Sequence, residues 1–230
     1  MEEERKATLN DIAHDLRTPL TSVQWRLEAF EDGVRPVTLE NVLGLRHAVD
    51  TMSRLVKDLR TLALAEGGYL QLSRERVDVA KLAEDIVADF EDRARQRRVS
   101  LTLHAAETAH TDADPARLSQ IIYNLLDNAL KYTPQGGRIA LFVLEAQGEV
   151  QLVVRDSGEG LGEADLKRVM NRFYRVDAAK EAPSELGASG LGLAIVNALT
   201  LLHGGRLEIA NAEEGGAEFR VALPHASVTA

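Results

Sequence analysis

His14 stands inside the stretch Leu9-Asn10-Asp11-Ile12-Ala13-His14-Asp15-Leu16-Arg17-Thr18-Pro19-Leu20-Thr21. A neutral imidazole, with a reference pKa of about 6.5, has one nitrogen free to attack an electrophile if the other hands its proton to a base. Asp15 is the nearest carboxylate, but adjacent side chains do not face each other on a helix, so spacing alone does not make it that base. Read as a helix, Leu9, Ile12, Leu16 and Leu20 form an apolar stripe. His14 lies off that stripe and shares its own face with Arg17 at i+3 and Thr18 at i+4. Pro19 lacks a backbone N–H, which leaves the Asp15 carbonyl without its intrahelical partner and predicts a kink just past His14. Taken alone, such a histidine reads as a solvated helix residue beside ordinary charges.

Further along, four patches have the chemistry of a nucleotide site. In Asn124-Leu-Leu-Asp-Asn128-Ala-Leu-Lys131-Tyr132, two amides one helical turn apart can offer carbonyl oxygens to magnesium, and Lys131 adds a cation for phosphate. Asp156-Ser-Gly158-Glu-Gly160 puts a carboxylate at a strand end beside two glycines that let the backbone approach a ligand closely. That carboxylate can accept a hydrogen bond from the exocyclic amine of adenine, whereas the carbonyl of guanine would face it unfavourably. Arg172-Phe173-Tyr174-Arg175 is the third patch, and Gly187-Ala-Ser-Gly190-Leu191-Gly192-Leu, entering a helix whose N-terminal N–H groups suit phosphate, is the fourth. Each has a plainer account: a solvated helix face, a tight turn, hydrophobic packing. The glycine run is a poor dinucleotide fingerprint, because it lies late in the chain and follows a polar loop.

His14-Asp15-Leu-Arg-Thr18-Pro-Leu-Thr resembles the phospho-acceptor box of sensor histidine kinases, with Asp15 where glutamate is usual. The four later patches, in their order, resemble the N, G1, F and G2 boxes of the ATP-binding domain of that family, a fold shared with gyrase-type ATPases and some chaperones. The resemblance runs from Leu9 to Pro224 and includes Asp114-Pro-Ala-Arg-Leu-Ser-Gln-Ile and His203-Gly-Gly. It implies that His14, Asp15 and Thr18 are catalytic, that Asn124 and Asn128 hold Mg, and that Lys131 and Arg175 meet the phosphates of ATP. Tyr132 would pack near the nucleotide, and Asp156, with Gly158 and Gly160, would read adenine. Gly187, Gly190, Leu191 and Gly192 would form the lid over the triphosphate. Met170 departs from the family by standing where the F box has its first aromatic, and Ala188 replaces a common glycine or serine. The implied activity is ATP-dependent phosphorylation of His14 and transfer of the phosphoryl group to an aspartate of a response-regulator receiver domain. The Asp15-x-x-Thr18 pattern resembles that of kinases that also dephosphorylate their regulator.

The elements that must position these residues read as follows. One helix runs from about Glu2 to Phe30, the segment 31–36 turns, and Thr38 caps a second helix to about Ala65. Val42, Leu45, Val49, Met52, Val56, Leu59 and Ala63 make a heptad seam on that helix. Two such helices cannot bury their stripes alone, so the expectation is a hairpin, residues 1–66, that dimerises into a four-helix bundle. A linker over 67–77 leads to an ATP-binding domain over 78–225. In it Val79 to about Arg97 is helical, Val99 to Leu103 is a strand, and Asp114-Pro115 opens a helix to about Lys131. That helix buries Leu118, Ile121, Ile122, Leu125 and Ala129. Ile139–Glu145 and Val150–Asp156 form a hairpin; Glu163–Met170 is a short helix; 177–187 is a loop; Ser189 to about His203 is helical; 206–210 and 217–223 are strands. The fold class is therefore α plus α/β, a helical hairpin followed by an α/β sandwich with a mostly antiparallel sheet.

Composition sets the bounds. The 230 residues carry a net charge of −9 with no basic run, which argues against nucleic acid or an anionic membrane as partner. There is no cysteine, hence no disulfide framework and no thiolate metal site. No apolar run approaches the roughly 20 residues that span a bilayer. The expected location is cytoplasmic, alone or as the inner part of a longer membrane-bound sensor. His47, His104, His110, His203 and His225 fall in no metal-ligand spacing. Two other classes fit less well: a gyrase-type ATP hydrolase would need a glutamate rather than Asn124 to activate water, and a non-catalytic dimerisation scaffold would not need nucleotide boxes.

Overall fold

The computed structural model describes residues 2–107, 109–146, 148–174, 176 and 190–225, with backbone alone for 2–15 and 18. Helices α1 (Glu2–Glu31) and α2 (Leu39–Glu66) form an antiparallel pair joined by a short turn. Thr38 caps α2 by accepting a hydrogen bond from the Asn41 N–H at 3.3 Å. Gly33, at φ +66°, takes the left-handed conformation that ends α1. Helix α1 is continuous through Pro19.

Next come β1 (Glu75–Asp78), α3 (Val79–Gln96), β2 (Ser100–Ala105), β3 (His110–Ala113), α4 (Pro115–Tyr132), β4 (Arg138–Ala146) and β5 (Glu149–Asp156). Then α5 (Glu163–Leu166), α6 (Gly192–Leu202), β6 (Arg206–Asn211) and β7 (Ala217–Pro224) complete the chain. Five strands form one sheet in the order β2-β4-β5-β7-β6, parallel only between β2 and β4. Along β4, Ile139, Leu141 and Val143 are buried while Ala140 and Phe142 between them are not, so one face of the sheet carries the core. Helices α3, α4 and α6 cover that face. The α4 face read from the sequence is fully buried, and Leu126 and Leu130 join it.

Three features differ from the sequence expectation. The last residues of the expected linker form β1, which pairs antiparallel with β3, a strand too short and polar to announce itself. Helix α6 begins at Gly192, later than Ser189. Helix α2 also buries a stripe beside the heptad seam, Leu55, Thr61 and Leu62, because it lies against α6 and its neighbours. Val42, Val49 and Val56 stay exposed.

One buried knot ties the elements below the site together. The Asp114 carboxylate caps α4 by accepting from the Arg117 N–H at 3.1 Å and also accepts from the Ser73 N–H at 3.0 Å. The Asp114 N–H donates to His203 Nε2 at 3.1 Å, so Nδ1 carries the proton and donates to the Leu199 carbonyl at 2.7 Å. His203 is thus held as a neutral imidazole between α6 and α4, and burial pushes its pKa down.

Candidate active site

Asp156 ends β5 and is 6% exposed. Its Oδ1 accepts from the Gly158 N–H at 2.8 Å and the Ala217 N–H at 3.2 Å. Burial pushes the carboxyl up from the ordinary aspartate range, and the two N–H donors pull against that shift. The loop after it is shaped by close approaches. A Cβ at Gly158 would lie 2.7 Å from the Tyr132 carbonyl oxygen. Asn211 clamps the loop, accepting from the Leu161 N–H at 2.7 Å and donating to the Leu161 carbonyl at 2.8 Å. Gly216, at φ +88°, lies so close that a Cβ there would sit 1.9 Å from the Asp156 carbonyl oxygen. Asn211 and Gly216 support the site without having been singled out in the sequence; the Gly215-Gly216 pair before β7 was the available signal.

Asp156 faces a cavity of about 840 Å³. Asn124, Asn128, Lys131 and Tyr132 of α4 line it together with Gly160, Gly190 and Gly192. Lys131 Nζ donates to the Tyr132 hydroxyl at 3.0 Å and sits 4.5 Å from the centre of its ring. The Asn124 amide nitrogen is buried without a partner, and a Cβ at Gly192 would lie 3.8 Å from Asn124 Oδ1. Asn124 therefore sits against the N-terminus of α6. Gly158 and Leu191 do not line the cavity: Gly158 underpins the loop, and the Leu191 side chain is fully buried just before α6. Arg175 and Gly187 lie outside the described residues. Phe173, at φ +59°, donates its N–H to the Gly190 carbonyl at 3.0 Å.

The cavity has a wall that the sequence did not indicate. His47, Arg54 and Asp58 of α2 line it, at helical spacings that place them on one face. Asp58 is pushed up to about 6 by burial, with the Arg54 guanidinium pulling it back down. His14, Asp15 and Thr18 lie on α1, where the backbone alone is described. Antiparallel helices rise equally per residue, and His14 precedes Glu31 by as many residues as Val56 follows Leu39. His14 is therefore level with the part of α2 that carries Arg54 and Asp58.

An amide pair one turn apart and a helix N-terminus have the chemistry to cradle phosphate with a hard cation, and Asp156 offers a directional acceptor in the same cavity. Among the described residues no group of three or more His, Asp or Glu is placed to hold a metal.

The family model described as "Histidine kinase-, DNA gyrase B-, and HSP90-like ATPase" matches residues 113–227, and the "His Kinase A (phospho-acceptor) domain" matches residues 4–68. The chain belongs to the sensor histidine kinases. Among similar histidine kinases, the signal transduction histidine-protein kinase BaeS of Escherichia coli is 36% identical over 96% of this chain and 47% of its own length. The sensor histidine kinase WalK of Bacillus subtilis is 30% identical over 98% of this chain and 37% of its own. The histidine-protein kinase/phosphatase MprB of a Mycobacterium species is 36% identical over 98% and 45%. The chain thus spans about half the length, or less, of these relatives. Among solved structures, the histidine kinase AdeS of Acinetobacter baumannii superposes with a TM-score of 0.76 at 29% identity, over 92% of this chain and 97% of that one. Full-length ShkA in complex with AMPPNP gives 0.70 at 27% identity, over 99% of this chain and 47% of its own. Among the described residues, no helix is long and apolar enough to cross a membrane.

Proposed function

We propose that this histidine kinase binds ATP in the 840 Å³ cavity and phosphorylates its own His14. One observation carries the reading: the cavity lined by Asn124, Asn128, Lys131 and Asp156 is lined as well by Arg54 and Asp58 of α2, the part of that helix level with His14. Asp156 accepts from the adenine amine through the carboxylate oxygen that Gly158 and Ala217 leave unused. Lys131 and the α6 N-terminus meet the phosphates. Asn124 and Asn128 would hold magnesium, which neutralises charge on the transferring phosphoryl group. A nitrogen of His14 attacks the γ-phosphorus, the bond to the ADP oxygen breaks, and the other ring nitrogen gives its proton to a base, the role assigned to Asp15. ADP leaves and phosphohistidine remains. The complex of the relative ShkA with AMPPNP supports the nucleotide assignment.

Residues 1–66 act as the phospho-acceptor and dimerisation hairpin, 67–77 as linker and 78–225 as the ATP-binding domain. The exposed Val42, Val49 and Val56 would be covered by a second copy in a four-helix bundle. The phosphoryl group passes on to an aspartate of a receiver domain, and Thr18 supports hydrolysis of that aspartyl phosphate by water, which releases inorganic phosphate, in keeping with the kinase/phosphatase relative MprB. The segment works in the cytoplasm as part of a longer sensor. Incubation with γ-labelled ATP and magnesium tests the reading: label that is stable in base, lost in acid and transferable to a cognate receiver domain is expected. Label that survives acid would overturn it.

A further inference from the structure

We propose that Arg54, on the second helix of the hairpin, is a phosphate-binding residue of the nucleotide cavity, so that ATP is held fully only when α2 lies against the ATP-binding domain. The inference rests on the nucleotide reading above.

Arg54 lines the same cavity as Asn124, Asn128 and Lys131. It is not there by chance of an exposed rotamer alone, because the helix beneath it is anchored. Leu55 and Leu62 of α2 are 4% and 3% exposed, within one continuous core with α4 and α6. The side chains of 54 and 58 flank this buried ridge and are carried towards the cavity by it.

The charges of the wall give Arg54 its task. Asp58, Asp127, Asp156 and Glu159 line the cavity against Arg54, Arg93 and Lys131. Arg93 is already paired with Asp127 at 2.5 Å, and Lys131 is drawn onto Tyr132. Arg54 has Asp58, one turn further along, as its electrostatic neighbour. A triphosphate brings several negative charges into a wall already rich in carboxylates, and a guanidinium binds phosphate through two parallel N–H bonds. Asp58 opposes the same phosphates, and it is burial that makes its charge costly there. Arg54 therefore offsets Asp58 in the empty cavity and turns to phosphate in the filled one.

The test is equilibrium binding of AMPPNP and of adenosine to the full chain. Arg54→Gln should weaken AMPPNP by about tenfold or more, the worth of one charge-assisted hydrogen bond, and leave adenosine within about twofold. Arg54→Lys should recover part of the loss. Asp58→Asn should bind AMPPNP at least as tightly as the wild type. Unchanged AMPPNP affinity in Arg54→Gln, an equal loss for adenosine, or a loss in Asp58→Asn as large as that in Arg54→Gln would each overturn the proposal. Wild-type chain that fails to bind AMPPNP at all would overturn the nucleotide reading with it; binding that weakens in Asp156→Asn but not in Arg54→Gln would remove the Arg54 proposal alone.

Discussion

Replacing Asp156 by asparagine should separate binding from stability, with opposite signs. In the native chain Oδ1 accepts from two backbone N–H groups, and the asparagine oxygen can take both bonds in the same place. The rest of the group changes: an acceptor oxygen becomes an NH2 donor, aimed where the adenine amine also donates. One charge-assisted bond, about 1.5–3 kcal/mol, is lost, which corresponds to about a 10- to 150-fold weaker affinity for ATP. The folded carboxyl has its pKa raised, because burial outweighs the two N–H donors. A carboxyl raised in the native state favours folding when protonated, so its ionised form costs stability at neutral pH. Asparagine carries no such charge. The variant should therefore unfold in denaturant at a midpoint equal to or above that of the wild type at pH 7, while calorimetry shows ATP affinity lost. A variant that keeps wild-type affinity refutes the adenine contact. A variant that loses affinity only because its midpoint has collapsed refutes the argument that the two N–H bonds survive.

Gly216→Ala must push a Cβ against the Asp156 carbonyl, 1.9 Å away, whereas Gly215→Ala, at φ +93°, meets nothing within 4 Å. Denaturation should find Gly215→Ala costing about 1–2 kcal/mol from backbone strain and Gly216→Ala several kcal/mol more, with ATP binding impaired only in the latter. The neutral His203 has its pKa lowered, so the stability it gives is complete above its unfolded value of about 6.5 and is lost as pH falls through the lower folded value. Unfolding midpoints from pH 8 to 5 should fall accordingly, and His203→Gln should flatten that slope. Thr18→Ala should retain phosphorylation of His14 and lose most dephosphorylation of the cognate receiver domain, read from the decay of the phosphorylated regulator with ADP present; equal decay would leave Thr18 a helix residue.

Much of the fold was written in local signals. Thr38, Asp114-Pro115 and the glycines at 33 and 204 mark helix ends chemically, and the three-and-four spacing along α4 names its buried face. Asp78, which caps α3 by accepting from the N–H groups of Ala80 and Lys81, is a cap of the same kind, but it ends a strand too short and polar to mark the boundary. Strands β1 and β3 have four residues each and hold one another, so neither has a pattern of its own. The residues of the proposed nucleotide site are legible as residue types, but their arrangement depends on long-range contacts. Asn211 reaches Leu161 and Gly216 backs Asp156 across the sheet. The α2 wall was hidden for a similar reason: Leu55 and Leu62 alternate with the exposed heptad seam, and periodicity cannot say which stripe meets another domain.

The central claim is that His14 receives the γ-phosphoryl group of ATP. The direct measurement compares wild-type chain with His14→Gln, each incubated with γ-labelled ATP and magnesium, with AMPPNP affinity measured in parallel. The account predicts acid-labile label on the wild type, none on His14→Gln, and AMPPNP affinity unchanged between them. Label of equal amount on His14→Gln would contradict it.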